Sequence, residues 1–492
     1  MLNTASTGLG NVWAMAVTLA SLPLLLHGLG AAAFGTWVLL QTFSAVNGWF
    51  SLADAGAGTA TTRLVAEHAS LGDRQATRVA ISSGMVLFLI LGAVAALLIG
   101  IVGPFVLPAL FNTPDDLVHS LKIAVVFFAA QAFVEFVTEG IEACLEGVQR
   151  VDLSRAVDAV RRTFVAAAAC VAANVSGSLS TVAAASCAGS LAGLLAAFVA
   201  IEHVGHGLAR PSRAQIHELF RYGRTVALLR PLGVLHRTMD RTIVGAIIGP
   251  EAVALVEIAT QVQTGAEAVL SASSYAVVPS ASWLHARGDK ATLRELLELG
   301  TKYSLLATSA VVAVGMVLAA PFVHVWVSDR YQDAAGLAVV ALLFVAVTAP
   351  LQVGSNILLG IGRAGDILKA ALLAVVINLA ASIVLVHLVG VVGCFIGSLL
   401  GTVALIPILG RATLDAADGD VATFLRRSVV PALLPTAALV VIGLAVVALP
   451  LNDLLTVALG AILSLGAYLL VAVRLSVSRQ ELQSVRESFA RG

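Results

Sequence analysis

Residues Gly223–Gly249 read GRTVALLRPLGVLHRTMDRTIVGAIIG, and the fold turns on how this stretch is understood. Its flanks have the composition of a membrane span, yet its middle holds Arg230, Arg237, Asp240 and Arg241. A charge at the centre of a spanning helix costs about 2.5–3.5 kcal/mol. Three arginines facing lipid would cost about 8–10 kcal/mol, so this helix must face a wet cavity or paired acids inside a bundle. On a helix Arg230, Arg237 and Arg241 stand at i, i+7 and i+11, which is one face. That face is read as the wall of a cavity that receives an anion. The competing reading is an internal girdle of ion pairs that holds helices together. Asp240 and Arg241 are adjacent in sequence, point in different directions and must seek other partners.

The surrounding chain fits a membrane setting. It has 492 residues, 59% apolar and 12% charged, with a mean hydropathy of +0.96; a soluble chain is nearer about 25% charged. The sequence therefore predicts an all-α polytopic membrane protein. Cys144, Cys170, Cys187 and Cys394 fall inside apolar segments at no metal-ligand spacing and read as small core residues. The first apolar stretch, from Gly8, is long enough to span and has no basic segment before it, so no cleavable signal peptide is expected.

A span needs about 20 mostly apolar residues, and fourteen candidates satisfy this. They lie near residues 8–29, 34–61, 79–103, 119–147, 156–174, 180–203, 223–248, 252–283, 303–326, 335–360, 367–389, 391–412, 429–449 and 453–473. With the N-terminus in the cytoplasm, the inner loops and tail hold all but five of the 29 basic residues. The five are Lys122, Arg330 and the three arginines of the opening stretch. This asymmetry supports the even count and two cytoplasmic termini.

The chain also repeats itself. His68-Ala69-Ser70-Leu71-Gly72-Asp73 returns as His285-Ala286-Arg287-Gly288-Asp289, about 216 residues later. Gly147 and Arg150 return as Gly360 and Arg363, at an offset of 213. Two six-helix lobes of the same orientation follow: a parallel pseudo-two-fold repeat, plus two C-terminal helices. Such repeats place a substrate site at their interface. The expected organisation is an N-lobe over 1–206, a cytoplasmic linker over 207–222 and a C-lobe over 223–414. A cytoplasmic loop over 415–428, the last two spans over 429–474 and a tail over 475–492 complete it.

Several stretches together resemble a known family. Phe34-Gly35-Thr36-Trp37 is similar to its short Y-G-x-W stretch, and Leu52-Ala53-Asp54-Ala55-Gly56 through Arg63 to its aspartate-glycine segment ending in a basic residue. Glu218-Leu219-Phe220-Arg221-Tyr222-Gly223 resembles the lead into span seven, and Asp240 to Gly245 a D-x-x-x-x-G segment late in that span. The chain thus resembles the Wzx-type flippases, the polysaccharide transporter branch of the multidrug/oligosaccharidyl-lipid/polysaccharide exporter superfamily. The family's G-x-Y-x-x-A pattern after span seven is absent; Val253 to Ala259 stands there, with Glu257 near the tyrosine's place. The resemblance implies a two-lobed fold with spans 1, 2, 7 and 8 around a central cavity. It implies transfer of a polyprenyl-diphosphate-linked oligosaccharide to the outer leaflet of a bacterial cytoplasmic membrane by alternating access. The bilayer, and a polysaccharide polymerase with its assembly proteins, would be partners; nucleic acid would not. Physical argument and resemblance meet at the arginines, because a planar guanidinium suits a diphosphate.

Other charges are weighed beside them. Glu135, Glu139, Glu142 and Glu146 stand at i, i+4, i+7 and i+11, one face of span four. The sharp reading is a proton or cation pathway; the plain one is a partner stripe for basic side chains. Asp240 and Glu267 are further ion-coupling candidates. Asp54, Arg63 and Glu257 join the three arginines as substrate-binding candidates; for Asp54 and Arg63 the plain reading is a helix-end pair, and for the acids of span eight a structural partner. His68 and His285 read as loop residues, and Asp418-Gly419-Asp420 as a charged turn. Ser478 to Phe489 reads as a short amphipathic tail helix with a capping box.

No lysine follows a glycine, so there is no Walker A loop, and no H-E-x-x-H or G-x-S-x-G occurs. No cofactor is expected, and a non-enzymatic, gradient-driven or facilitated transporter is implied. The alternatives are a proton- or sodium-coupled drug exporter of the same superfamily, a membrane glycan polymerase, or a non-transporting scaffold.

Overall fold

A computed structural model describes residues 2–44, 48–54, 56–205, 207–227, 230–274 and 276–476. Among them the secondary structure is helical, with no strand, as expected where apolar surroundings force each backbone donor to find its acceptor within its own helix. The chain forms two units, Met1–Glu257 and Ile258–Gly492.

In the first unit α1 (Leu2–Leu29) is followed by the short α2 (Ala31–Gln41), a 3-10 turn (Trp49–Asp54) and α3 (Ala57–Ser70). The segment expected as one span over 34–61 is therefore interrupted. Then come α4 (Arg74–Leu110), α5 (Asp115–Gly147), α6 (Val151–Ser176) and α7 (Leu179–His203). Two further helices, α8 (Arg213–Ala227) and α9 (Arg230–Ile247), pack in this unit, α8 on α3 and α4 and α9 on α2 and the 3-10 turn.

Helix α10 (Pro250–Ser274) crosses from one unit to the other, and α11 (Val277–Ala286) follows it. The span expected over 252–283 is thus broken as well. Pro279, in the first turn of α11, is tolerated at a helix start and would break a helix interior. The second unit continues with α12 (Lys290–Val317), α13 (Ala319–Trp326), α14 (Asp333–Gly360), α15 (Ala364–Val389) and α16 (Val392–Ala416). It closes with α17 (Val421–Phe424), which runs through a π-helical turn (Leu425–Val429) into α18 (Val430–Val447), and with α19 (Asp453–Val471).

Among the described residues, ten helices are long and apolar enough to cross a membrane. The other four expected spans fall on the interrupted α2–α3 segment, on α6, on α8–α9 and on α10–α11. Helix α6 has the length, but Asp152, Arg155, Asp158, Arg161 and Arg162 crowd its first half.

The repeat is visible as matched local devices. Asp73 caps α4 by accepting from the N–H of Ala76, and Asp289 caps α12 by accepting from the N–H of Thr292. The two contacts on Asp289, from the Thr292 N–H and hydroxyl, hold its carboxyl below the usual aspartate range. Gly147 ends α5 against α3, where an added Cβ would lie 2.7 Å from the Cβ of Val65. Gly360 ends α14 against α11, where it would lie 2.9 Å from the Cβ of Ala281. Val65 and Ala281 are themselves 216 positions apart. After each glycine the chain turns through positive φ, at Gln149 (64°) and Gly362 (80°). The second copy uses the residue that adopts this conformation freely; the first forces a side chain into it.

Candidate substrate and ion-coupling site

The continuous helix from Arg230 to Ile247 keeps the backbone positions 230, 237 and 241 on one face. The side chains of Arg230 and Arg237 lie outside the described residues. Arg241 is described: its Nε stands 2.7 Å from Oε2 of Glu257, and both side chains are largely buried, 21% and 12% exposed. The contact is an ion pair by distance, although its N–H is not aligned for a hydrogen bond. Two candidates 16 positions apart are thus brought together by the turn between α9 and α10. Glycine 245 lets α9 lie against Leu39 of α2, and the Trp49 indole N–H donates to the Thr242 hydroxyl at 3.3 Å. These contacts fix the rotation of α9 near Arg241. Asp240 is half-buried on the neighbouring face.

Asp54 and Arg63 have separate environments. Asp54 is fully buried at the end of the 3-10 turn, and its Oδ1 accepts the Gly58 N–H at 2.9 Å. A carboxylate against the first-turn donors of α3 is well placed for the helix dipole. Arg63, half-exposed, stacks on the Tyr222 ring at 4.5 Å and lies 3.6 Å from Glu67. Through Tyr222 it ties α3 to α8. That helix is further fixed by Gln215, which accepts from the Ser83 hydroxyl, and by Ser212, whose N–H donates to Ser83.

The acids of α5 face α6. Glu135, 6% exposed, accepts from the Gln131 amide at 2.9 Å and lies 3.8 Å from Arg161. Arg161 is itself buried and also pairs with Asp158, which binds Arg162 as well. About three turns on, Glu146 accepts from Arg155 at 3.1 Å and from the Ser154 hydroxyl. Glu139 and Glu142 sit half-buried between these two anchor points. In the second unit Glu267 accepts from the Gln263 amide at 2.7 Å.

Some buried charges escaped the sequence reading. Glu298 and Lys302 on α12 are 5% and 7% exposed. Glu298 holds Arg427 at 3.0 Å, and its backbone carbonyl accepts from the Ser428 hydroxyl. Their i,i+4 spacing is a signal, but the apolar run that marks span nine begins at residue 303 and leaves both outside it. Asn378, Ser382 and Ser398 form a buried polar cluster between α15 and α16. His324 sits between Asp329 and Asp453, linking α13 to the start of α19. Among the described residues no group of three or more His, Cys, Asp and Glu is arranged to hold a metal ion. The amphipathic tail expected from Ser478 lies outside the described residues.

The interrupted spans, the buried ion pairs and the matched halves define a polytopic membrane protein with a transporter-type fold. That fold is shared with solved transporters. The lipid II flippase MurJ, in an inward closed conformation, superposes with a TM-score of 0.73 at 11% identity, covering 96% of this chain and 98% of its own. A multidrug resistance MATE family transporter of the MOP superfamily matches in an inward-facing conformation, with a TM-score of 0.64, 17% identity and coverage of 82% and 95%. An outward-facing MATE conformation gives 0.56 at 18% identity, covering 85% and 96%. No curated protein sequence matches. The model of the polysaccharide biosynthesis protein family matches residues 1–285. The chain belongs to that family.

Proposed function

We propose that the protein is a flippase that carries a polyprenyl-diphosphate-linked oligosaccharide from the inner to the outer leaflet of a bacterial cytoplasmic membrane by alternating access. The observation that carries this reading is the Arg241–Glu257 pair, set within an arginine-bearing helix of a chain belonging to the polysaccharide biosynthesis family. Arg230, Arg237 and Arg241 are proposed to take the diphosphate, with Glu257 neutralising Arg241 when no anion is bound. A buried guanidinium without a partner would be strongly destabilising. An acid that holds it and can be displaced lets one arginine serve both the empty and the loaded state. MurJ is a lipid II flippase by its own description, which supports the same class of cargo on this fold.

The acids of α5 are proposed as an ion-coupling relay, with Arg161 as its fixed counter-charge. Both termini are placed in the cytoplasm on the distribution of Lys and Arg. A polysaccharide polymerase and assembly proteins are the proposed downstream partners.

The likeness to MATE transporters favours a second reading, a cation-coupled drug exporter in which the α5 acids serve coupling. Proteoliposomes separate the two. Transfer of a polyprenyl-diphosphate oligosaccharide between leaflets by wild type, lost in an Arg230→Ala/Arg237→Ala variant that still reconstitutes, is the expected result. Efflux of a cationic dye without lipid transfer by a well-folded wild type would replace the flippase with the exporter.

A further inference from the structure

In the second unit the break between α10 and α11 opens against α14 as a cavity of about 410 Å³. Its lining is Ser271, Ser274, Val278, Pro279, Gln352 and Asn356. No ionisable side chain is among these six. The groups open to the cavity are the Ser271 hydroxyl and two carboxamides, over an apolar floor of valine and proline; the Ser274 hydroxyl is buried and donates to the Leu270 carbonyl at 3.0 Å.

The carboxamides are held in position. Asn356 donates to the Ser274 carbonyl at 3.1 Å, at the end of α10. Gln352 reaches the Asn356 Oδ1 at 3.5 Å, at the limit of a hydrogen bond. Neutral amides and hydroxyls inside a membrane helix normally close on one another or on backbone carbonyls. Here the Gln352 carbonyl accepts no hydrogen bond among the described residues, and Ser271 is exposed to the cavity. A second opening, about 430 Å³, adjoins through the shared Pro279 and is walled by Ser280 and Trp283.

The repeat shows that this neutrality departs from the first half. At the offset of 213, Glu135, Glu139 and Glu142 of α5 correspond to Thr348, Gln352 and Ser355 of α14. Their counter-charges change in step: Asp158 and Arg161 of α6 correspond to Ala371 and Ala374 of α15. One copy of the helix pair is an ion-paired seam. In the other, both partners of the seam are gone and the same helix face lines a neutral hydroxyl-and-amide cavity.

We propose that this cavity is a carbohydrate subsite, in which Gln352, Asn356 and Ser271 take the hydroxyl groups of the sugar next to the lipid carrier. It rests on the flippase reading and adds where the uncharged part of that cargo is recognised. Sugar hydroxyls are donors and acceptors at once, and carboxamides match both roles. The floor of Val278 and Pro279 suits the apolar face of a pyranose ring. Gln352 lies about 12 Å along α14 from its end at Gly360, so the subsite is sunk within the helix bundle of its unit.

The test uses the full chain in phospholipid nanodiscs and two probes, a polyprenyl diphosphate without sugar and the lipid-linked oligosaccharide extracted from membranes of the producing cell. Wild type should bind the glycosylated lipid more tightly than the bare one. In Gln352→Ala/Asn356→Ala that advantage should fall by about 10- to 30-fold, as for two lost hydrogen bonds, while affinity for the bare lipid stays unchanged. Ser271→Trp, which fills the cavity without removing an amide, should abolish the advantage in the same way. Unchanged binding of the bare lipid shows that each variant is folded. Equal affinity of wild type for both probes, or an equal loss for both in the variants, overturns the subsite. Failure of wild type to bind either lipid overturns the flippase reading and the subsite with it.

Discussion

Removing the Glu257 carboxylate is the perturbation with the sharpest expected consequence. At 2.7 Å the Arg241–Glu257 attraction is about 6 kcal/mol at an effective dielectric of about 20. Desolvation of two largely buried groups offsets much of that. A net coupling of about 2–3 kcal/mol remains, below the 3–5 kcal/mol lost when a fully buried pair is broken, because Arg241 keeps some solvent contact. Glu257→Gln leaves the arginine buried with a neutral neighbour, and Arg241→Met leaves the glutamate so. Each single change should destabilise by roughly the coupling energy, whereas the double change should cost little more than either. Unfolding in mixed micelles, followed by intrinsic fluorescence for the four members of the cycle, measures this directly. Transport should separate from stability. Glu257→Gln frees Arg241 for an anion and should tighten binding of a polyprenyl diphosphate, while Arg241→Met should weaken it. A coupling below about 0.5 kcal/mol, the size of an exposed pair, would refute the pairing argument.

Arg161→Leu removes the common counter-charge of Glu135 and Asp158 and should destabilise by about 3–5 kcal/mol, read as loss of monodisperse protein on heating in detergent, with Arg161→Lys recovering part of it. Gly360→Val places new atoms within 2.6 Å of the Val278 carbonyl and should cost about 1–3 kcal/mol by overpacking, measured by the same unfolding titration. Gln149→Gly relieves a side chain held at positive φ and should stabilise by about 1 kcal/mol, whereas Gly362→Ala should destabilise by a similar amount. Asp289 has its folded pKa depressed, so its cap on α12 is fully present above the ordinary aspartate pKa and is lost as pH falls through the lower folded value. Amide exchange at Thr292 should therefore accelerate below about pH 4, and in Asp289→Ala it should be fast at every pH.

The sequence carried the helical class, the repeat and several of the pairings, because each has a local signature. Apolar runs of about 20 residues mark spans whatever they pack against. The Gly-Asp loops at 72–73 and 288–289 mark caps that need only three residues to form. The acid stripe of α5 was legible as one face, but its dependence on Arg161 was not, since a contact between helices leaves no spacing rule in the chain. The same holds for Arg241 and Glu257. The interruptions between α2 and α3 and between α10 and α11 are not legible in the sequence, because the few small polar residues there leave each segment apolar enough to read as one span; hydropathy reports what a segment touches and is blind to where its helix stops. Glu298 and Lys302 were hidden by the opposite error. Charges near a span boundary look like loop residues until a neighbouring segment, here Arg427 and Ser428, closes over them.

The seam between α5 and α6 has a consequence for how the protein is made. A nascent α6 presents Asp152, Arg155, Asp158, Arg161 and Arg162 to the insertion machinery within a single helix. Released alone into lipid it would meet a barrier of several charges, each costing about 2.5–3.5 kcal/mol at the centre of the bilayer. Helix α5 precedes it by a three-residue loop and already carries the acids that Arg155 and Arg161 need. The two helices therefore have to leave the translocon as one hairpin, neutralised before either meets the acyl chains. In the second half α15 and α14 carry no such obligation, and each can partition by its own hydropathy. Biosynthesis of the first half thus depends on pairing in the order of synthesis, and a change in the loop at 148–150 would be felt as failed insertion before it was felt in transport.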